Sequence, residues 1–212
     1  MISVNNLSFG YGSNFLFHDL NLSFVNGKVY GLLGKNGAGK TTLLKLICVL
    51  IFPQNGECKI NGIETKTRNP EVLKEIFFIP EAFFVPPLTI DQYIRRYASL
   101  YDKFDKDFFY SKVKELDLPE KNPLTKFSYG QKKKFLLLFG LATKSKLFIF
   151  DEPTNGLDIP TQSDLKKLLL QNLNQDTIFI ISTHHVREFE NIFDFITILD
   201  NGKILLNYDY KY

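Results

Sequence analysis

One stretch at positions 34–42, GKNGAGKTT, restricts the possible folds of this chain more than any other feature. It follows the apolar run KVYGLLG, which predicts a buried strand, and it precedes apolar residues at helical spacing. The pattern fits G-x-x-x-x-G-K-[ST], in which glycines allow backbone N–H groups to surround phosphate oxygens at a helix N-terminus. The sequence therefore predicts a phosphate-binding loop between a strand and a helix.

The residue types in this loop suggest separate chemical roles. Lys40 is expected to reach the β- and γ-phosphates of a nucleotide, and the Thr41 hydroxyl is expected to hold Mg²⁺. The other positions would offer backbone N–H groups to the phosphates. The residues predicted to bind nucleotide here are Gly34, Lys35, Asn36, Gly37, Ala38, Gly39, Lys40, Thr41 and Thr42.

A second apolar run, LFIF, ends in two carboxylates that suit the same chemistry. Asp151 and Glu152 close this run, and ligands gather at the carboxyl ends of strands in open α/β sheets. Asp151 is predicted to hold Mg²⁺, and Glu152 is predicted to take a proton from an attacking water. The alternative is that both carboxylates merely begin the loop DEPTNGLD.

Strand and helix signals alternate along the chain, which predicts an α/β fold with a mostly parallel sheet. Roughly the first 30 residues and the segment GECKINGIE indicate a separate antiparallel part, with turns at Asn26 and Gly27 and at Asn61 and Gly62. Residues 88–118 are predicted to be mostly helical, and NGKILLNY is predicted to be the last strand. Predicted parallel strands cover 28–34, 74–81, 146–152 and 176–183, and predicted helices cover 41–50, 129–144 and 159–173.

Composition narrows the class of protein further. The 212 residues are predicted to form a single domain spanning 1–212, with 44% hydrophobic residues available for its core. A formal charge of only +3, with scattered lysines, argues against a nucleic-acid surface. Cys48 and Cys58 lack CxxC spacing and are predicted to be buried, reduced thiols. The sequence shows neither a signal-peptide pattern nor an apolar run of the ~20 residues that span a bilayer, so we expect any membrane link to come through a partner.

The segment FSYGQKKK at 127–134 offers a second anion-friendly helix start. Ser128 and Gln131 have the spacing of a capping box, in which two side chains bond the first free backbone N–H groups of a helix. The residues alone leave two interpretations open. One is an ordinary helix cap followed by solvated lysines, and the other is a contact to a second phosphate group.

The order of four motifs resembles that of the ATP-binding cassette (ABC) ATPases. GKNGAGKTT, FSYGQ, LFIFDEPTNGLD and ISTHH follow one another as in that family, and the likeness runs from about Val4 to Leu206. The resemblance implies a P-loop NTPase of ABC type that hydrolyses ATP with Mg²⁺. It also implies a head-to-tail dimer, in which Ser128, Gly130 and Gln131 of one subunit contact the γ-phosphate of ATP held by the other.

Three further residues match positions of the family. Tyr11 in LSFGYG corresponds to the aromatic residue that stacks on adenine, and a core tyrosine is the alternative. His184 in STHH matches the switch histidine, which would contact the γ-phosphate and hold Glu152 and water in line. A purely structural histidine is the alternative. Asp158 in GLD matches the loop that crosses the dimer interface.

The sequence departs from the family pattern at three positions. Tyr129 stands where the family usually has Gly, and Phe127 stands where it usually has Leu, while Gly130 is retained. Glu81 in FFIPE replaces the usual Gln, and by resemblance it contacts Mg²⁺ and the attacking water with one more negative charge. The Ile-Pro-Glu sequence resembles ABC subunits linked with drug, ion or antibiotic efflux.

The segment at about 82–127 corresponds to the helical subdomain of the family. By resemblance, its face near Phe83, Phe84 and Val85 would dock a membrane subunit. The alternative is that these apolar side chains belong to the core.

Taken together, the motifs predict the ATP-hydrolysing subunit of an ABC transporter, with export favoured over import. The expected partners are a second ABC subunit, identical or related, and an integral membrane permease subunit, with no nucleic acid. The subunit would be cytoplasmic and peripheral on the inner face of the cell membrane. A soluble ABC ATPase acting on DNA or ribosomes is one alternative, although the sequence lacks the coiled coil, zinc insertion or second cassette usual there. A slow-turnover regulatory subunit is the other, although Glu152 and His184 are both present.

Overall fold

The computed structural model describes residues 1–189 and 191–210, which form two β-sheets with helices packed on them. The predicted domain of 1–212 therefore includes residues 190, 211 and 212, which lie outside the described residues. The strands are β1 (Ile2–Tyr11), β2 (Asn14–Phe24), β3 (Lys28–Leu33), β4 (Asn55–Ile60), β5 (Ile63–Glu64), β6 (Ile76–Ile79), β7 (Leu147–Asp151), β8 (Ile178–Thr183), β9 (Phe195–Asp200) and β10 (Lys203–Asp209). The helices are α1 (Lys40–Ile47), α2 (Pro70–Leu73), α3 (Ile90–Tyr97), α4 (Lys106–Glu115), α5 (Tyr129–Ala142), α6 (Ile159–Asn172) and α7 (Val186–Phe189).

The smaller sheet is antiparallel and has the strand order β2-β1-β4-β5. Strands β1 and β2 form a hairpin in which Tyr11 pairs with Asn14 across the turn at Gly12 and Ser13. The predicted antiparallel part is thus confirmed, although its first hairpin turn lies at Gly12 and Ser13, where no turn was predicted. Gly12 has a φ of 65°, a conformation that glycine adopts without steric cost.

The two predicted Asn-Gly turns have different roles. Asn61 and Gly62 join β4 to β5 as a two-residue hairpin, and both residues have positive φ, as a type I′ turn requires. Asn26 and Gly27 do not close a hairpin, because they lead from β2 in the small sheet to β3 in the large one. The turn at Asn26 and Gly27 therefore connects the two sheets.

The larger sheet has the strand order β10-β9-β3-β8-β7-β6. All neighbouring pairs are parallel except β9 with β10. The four predicted parallel strands are confirmed with slightly shorter bounds, and so are the three predicted helices and the last strand. Strand β3, which leads into the phosphate loop, lies between β8 and β9, so the loop begins in the middle of the sheet.

Apolar side chains pack on both faces of this large sheet. On one face, α3 to α6 cover a core rich in phenylalanine, including Phe135, Phe148 and Phe179. On the other face, α1 and the antiparallel sheet enclose a second core that contains Leu43 and Ile180. Because both faces are covered, the strands carry near-continuous apolar runs, as expected for parallel sheets.

The helical subdomain consists of shorter pieces than the sequence suggested. The helical prediction for 88–118 resolves into α3 and α4. Asp105 caps the start of α4 by accepting a hydrogen bond from Phe108 N at 2.9 Å. Val85, predicted as part of a docking face, is buried in the core and is a correction to that prediction. Phe84 is 81% exposed.

Two further expectations concern membranes and thiols. Within 1–189 and 191–210, every helix is too short or too polar to cross a lipid bilayer.

Cys48 and Cys58 are both buried and free, as predicted. Burial raises the pKa of the Cys58 thiol to about 11, so the thiol stays protonated at neutral pH.

Candidate active site

A cavity of about 430 Å³ opens at the carboxyl end of β3 and collects most of the predicted nucleotide-binding residues. It joins the phosphate loop to side chains that follow β6 and β7, as the switch of strand order in an open sheet predicts. Its lining residues are Tyr11, Leu16, Lys35, Asn36, Gly37, Gly39, Lys40, Thr41, Thr42, Glu81, Asp151 and Glu152.

The phosphate loop ends where α1 begins at Lys40. Gly39 is the N-cap with a φ of 107°, and Gly37 has a φ of 82°. Both conformations favour glycine and turn the backbone around the cavity. The Lys40 ammonium is only 6% exposed and donates to the carbonyl of Gly34 at 2.8 Å. The loop is therefore closed around its own lysine.

Two predicted loop residues, Gly34 and Ala38, lie behind the cavity rather than in its lining. A Cβ added at Gly34 would lie 2.3 Å from the carbonyl oxygen of Leu199 in β9. Ala38 is buried, and its carbonyl accepts a hydrogen bond from Gly202 N at 3.2 Å. The turn between β9 and β10 thus supports the phosphate loop from behind.

Thr41 and Asp151 meet at the base of the cavity. Thr41 Oγ1 donates to Asp151 Oδ2 at 2.6 Å, and Ser182 Oγ donates to Asp151 Oδ1. Asp151 ends β7 and Ser182 lies in the neighbouring β8, so the parallel pairing of these strands places the two side chains side by side. Adjacent hydroxyl and carboxylate oxygens are the hard donors that Mg²⁺ prefers, which fits the predicted metal.

These donors do not make a closed metal cage. Across the described part of the chain, no three His, Cys, Asp or Glu side chains cluster tightly enough to hold a metal ion. Mg²⁺ is commonly bound by one or two carboxylates together with substrate phosphates, so a sparse donor set suits a metal that arrives with nucleotide.

Glu152 occupies a constrained position between Lys40 and His184. Its Oε1 lies 3.5 Å from Lys40 Nζ, and its Oε2 lies 3.0 Å from His184 Nδ1. The buried Oε1 atom has no hydrogen-bond partner among the described residues. Glu152 has a φ of 48°, a left-handed conformation that costs a non-glycine residue of order 1–3 kcal/mol. Its N–H is held by Ser182 O and Ser182 Oγ, both at 3.1 Å.

Glu81 lines the same cavity from the end of β6. Its Oε1 accepts a hydrogen bond from Asn155 Nδ2 at 2.8 Å, and its backbone carbonyl accepts one from Tyr129 OH at 3.4 Å. Two of the three positions at which the sequence departs from the family pattern, Glu81 and Tyr129, are therefore in direct contact. The ring of Tyr129 also stacks on Phe83, with 5.5 Å between ring centroids.

Tyr11 stands at the rim of the cavity and is 58% exposed, so it is not a core residue. Its hydroxyl is 3.3 Å from Thr42 Oγ1, and its ring meets Phe9 edge to face at 5.0 Å. An exposed ring held in this way is available to stack on a planar group.

The predicted second anion site lies outside this cavity. Ser128 and Gln131 form a complete capping box at the start of α5: Ser128 Oγ accepts from Gln131 N at 3.1 Å, and Gln131 Oε1 accepts from Ser128 N at 2.9 Å. Asp158 caps α6 by accepting from Thr161 N at 2.8 Å, and the backbone and side-chain hydrogen bonds from Thr161 hold the pKa of Asp158 below its usual range. Gly130 packs near Thr161, so the starts of α5 and α6 are neighbours.

Sequence reasoning missed three residues of the site: Ser182, Asn155 and Lys133. Ser182 lies in the motif ISTHH, two residues before His184, and that position is the sequence signal that could have found it. The pairing of β7 with β8 places it opposite Asp151. Lys133 is 2% exposed, although it lies between two lysines that are more exposed. Helical spacing from Tyr129, four residues earlier, is the only sequence signal that distinguishes it.

Comparison with known proteins agrees with this geometry. The profile of the ABC transporter family matches residues 17–155, which include the phosphate loop, Asp151 and Glu152. Two curated proteins are similar along almost the whole chain. The ABC transporter ATP-binding protein YtrB of Bacillus subtilis (strain 168) is 31% identical over 206 residues, covering 96% of this chain and 70% of that protein. The lantibiotic transport ATP-binding protein SrtF of Streptococcus pyogenes is 32% identical over 221 residues, covering 99% of this chain and 91% of that protein.

A solved structure described as the ATP-binding subunit of an ABC transporter superposes closely on this fold. Its TM-score is 0.89 at 26% sequence identity, and the match covers 98% of this chain and 89% of that one. The arrangement of both sheets and the helical subdomain is therefore shared with that protein.

Proposed function

This chain belongs to the ABC transporter family of ATPases, and we propose that it is the ATP-hydrolysing subunit of an exporter with a separate membrane subunit. The observation that carries the proposal is the position of Glu152. Its carboxylate lies at the wall of the phosphate-loop cavity, between Lys40 and His184, with one buried oxygen free of hydrogen bonds among the described residues. That oxygen is suited to accept a proton from water.

ATP would bind with its phosphates against the loop and its adenine on Tyr11. The backbone N–H groups of the loop and the start of α1 supply positive potential for the triphosphate. Lys40, now 3.5 Å from Glu152, would turn to the phosphates, since these carry more negative charge than the Gly34 carbonyl. Binding would thereby release Glu152 from its cationic neighbour and leave it able to act as a base.

Hydrolysis would use Glu152 as the general base. Water attacks the γ-phosphorus, the bond from that phosphorus to the bridging oxygen of ADP breaks, and the proton of the water passes to the Glu152 carboxylate. His184 would hold Glu152 in place through the contact to Oε2 and would stabilise charge on the transferred group. Thr41, Asp151 and Glu81 would hold Mg²⁺, which supplies positive charge at the phosphate oxygens.

The capping boxes at α5 and α6 would serve a second subunit. Ser128, Gly130 and Gln131 would contact the γ-phosphate of ATP on that subunit, and Asp158 would lie at the interface between the two. Charge-assisted hydrogen bonds are worth about 1.5–3 kcal/mol each, so several of them, repeated by twofold symmetry, can hold a nucleotide-dependent dimer.

The membrane subunit would dock beside the helical subdomain and hold the chain on the inner face of the membrane. An aromatic groove of about 360 Å³ lies there, lined in part by Phe78, Phe83, Phe84 and Tyr97. Exposed aromatic patches of this kind mark interaction sites more often than bare surface. The similarity to SrtF, which is named for lantibiotic transport, favours export of a lantibiotic-like antibiotic.

A phosphate-release assay tests the enzymatic half of the proposal. Purified protein with Mg²⁺ and ATP is expected to release phosphate, and Glu152→Gln is expected to lower kcat by at least about a hundredfold while ATP binding is retained. The loss follows because the amide cannot take a proton from water. Equal rates for the two proteins at high protein concentration would overturn the ATPase assignment of this site.

Capture from gently solubilised native membranes tests the transporter half. The tagged chain is expected to bring down one polytopic membrane protein in near-stoichiometric amount, and Phe84→Asp is expected to lose it. Leu170→Asp serves as the matched control, because Leu170 is also apolar and exposed but lies on α6, away from the groove. Capture of ribosomal or DNA-bound proteins instead would overturn the membrane assignment.

A further inference from the structure

Lys133 is a buried cation that contacts the backbone of Glu152, the residue that carries the reactive carboxylate. Its ammonium is almost fully buried and donates to the backbone carbonyl of Glu152 at 2.9 Å and to that of Asn155 at 3.1 Å. Both acceptors belong to the loop between β7 and α6. A lysine on α5 therefore fixes the loop that contains the general base.

The backbone conformation of Glu152 makes this contact consequential. Its φ of 48° is disfavoured for glutamate, and such conformations persist where surrounding contacts over-determine them. Ser182 holds the N–H of Glu152, and Lys133 holds its carbonyl oxygen. The two contacts act on opposite ends of the residue, so together they fix the direction in which the carboxylate leaves the backbone.

Tyr129 covers Lys133 and ties it to the rest of the site. The Lys133 ammonium lies 5.2 Å from the centroid of the Tyr129 ring, within cation–π range. The ring lies close to the same loop, because a Cβ added at Gly156 would be 3.3 Å from Tyr129 Cε1. The hydroxyl of Tyr129 bonds the Glu81 carbonyl. The side chain that stands in place of glycine thus shields the lysine and faces its own subunit.

Charge around Lys133 explains why a lysine is tolerated there. Burial lowers the pKa of Lys133 to about 8, although the carboxylates of Glu81 after β6 and of Glu152 and Asp151 at the end of β7 act in the opposite direction. The ammonium form therefore dominates at neutral pH. The two hydrogen bonds to Glu152 O and Asn155 O are both directed at carbonyls of the active-site loop.

We propose that Lys133, shielded by Tyr129, is a positioning residue for hydrolysis, which holds the loop of Glu152 and Asn155 in its reactive geometry. It acts through the backbone and does not touch the substrate. The catalytic consequence rests on the proposed role of Glu152 as general base, whereas the structural consequence for the loop does not.

Hydrogen exchange on the full-length chain tests the structural consequence. Asn155 N bonds Glu152 O, and Leu157 N bonds Thr154 O, so these two amides of the segment 153–158 are protected while the loop is held. Lys133→Met removes the donors at similar side-chain length and is expected to speed exchange of this segment by at least about tenfold. Lys133→Gln keeps N–H donors without the charge and is expected to recover part of the protection. Lys134→Met, which removes the neighbouring cation and its 2.6 Å pair with Asp164, should leave the segment unchanged.

Steady-state kinetics test the catalytic consequence. A misplacement of about 1 Å can cost up to about a hundredfold in rate, so Lys133→Met is expected to lower kcat by about tenfold or more. KM for ATP should stay within about twofold, because the phosphate loop is untouched. Tyr129→Phe, which loses only the bond to Glu81, should lie between Lys133→Met and wild type.

The outcomes separate this inference from the proposed function. Unchanged loop exchange in Lys133→Met, or an equal effect in Lys134→Met, would overturn it. Faster exchange with unchanged kcat would overturn the catalytic consequence. If wild type hydrolyses ATP no faster than Glu152→Gln, the proposed function fails, and loop exchange then decides the role of Lys133 by itself.

Discussion

At the scale of single residues, the site depends on groups that are buried in unusual states. Glu152 is a carboxylate in a left-handed backbone conformation, and Lys133 is an ammonium enclosed by protein. Each is tolerable because the other elements of the site supply partners: carbonyls for the lysine, and Lys40 and His184 for the glutamate. Removing one partner leaves the other buried without compensation, which is the costly case for charged groups.

The lowered pKa of Lys133 has a consequence for stability that can be measured. Its pKa is about 8 in the folded protein, against an ordinary value of 10.5. Between these values the unfolded chain binds more protons than the folded one, so the contribution of Lys133 to the free energy of unfolding rises with pH. Below pH 8 both states are protonated and the contribution is constant. The stability difference between wild type and Lys133→Met should therefore shift in favour of wild type from pH 8 to 10.5 in denaturant titrations.

Comparison of the two proteins is necessary because other groups titrate in the same range. Burial raises the pKa of Cys58 from 9.0 to about 11, so its contribution to stability falls as pH rises through that interval. This fall is common to wild type and variant and disappears in the difference. A difference that is flat with pH would show that Lys133 titrates normally in the folded protein.

At the scale of elements, two helices begin with the same device. A complete capping box starts α3 with Thr89 and Gln92, and another starts α5 with Ser128 and Gln131. The cap therefore explains why both helices start where they do, and by itself it does not identify a phosphate contact. Its functional role at α5 depends on the surroundings of that helix.

The paired caps allow structure and function to be separated. Thr89→Ala and Ser128→Ala are each expected to cost about 1 kcal/mol in the free energy of unfolding, since each removes a comparable N-cap hydrogen bond. Only Ser128→Ala is expected to lower ATPase activity and ATP-dependent dimerisation, because only α5 would face the nucleotide of a second subunit. Equal activity in the two variants would contradict the role proposed for Ser128.

The elements also show what the sequence could and could not predict. Apolar runs between turn signals identified the parallel strands, because those strands are buried on both faces. Strand β9 was not predicted, because the helix before it, α7, has only four residues and gives no helical period between two strands. Motif spacing predicted positions for Lys40, Asp151 and Glu152. The burial of Lys133 could not be predicted in this way, because it depends on which side of α5 faces the sheet.

At the scale of the whole molecule, the site is assembled from distant parts of the chain. The phosphate loop follows β3, the carboxylates end β7, and the support behind the loop comes from the turn between β9 and β10. Gly202 in that turn has a φ of 72°, and a Cβ there would lie 1.6 Å from the carbonyl oxygen of Leu16. The turn thus ties the antiparallel sheet to the back of the phosphate loop.

Two glycines test this long-range support. Gly62 also has a positive φ, but open space surrounds it. Gly62→Ala is therefore expected to lose only about 1 kcal/mol of stability. Gly202→Ala forces the backbone apart and is expected to lose more than about 3 kcal/mol. ATP binding should weaken by at least about tenfold in Gly202→Ala alone, measured by titration of a fluorescent ATP analogue. Similar ATP affinity in both variants would show that the phosphate loop does not need the turn.

The close approach of Gly34 to Leu199 also has a consequence for how this protein is made. The phosphate loop leaves the ribosome well before β9 and the turn that follows it, which support the loop, are synthesised. At about 5–20 residues per second, roughly 8–30 s separate the two events. During that interval the nascent chain carries a glycine-rich loop without its backing. Nucleotide can therefore stabilise the completed protein, but it can contribute little to the first steps of folding during translation.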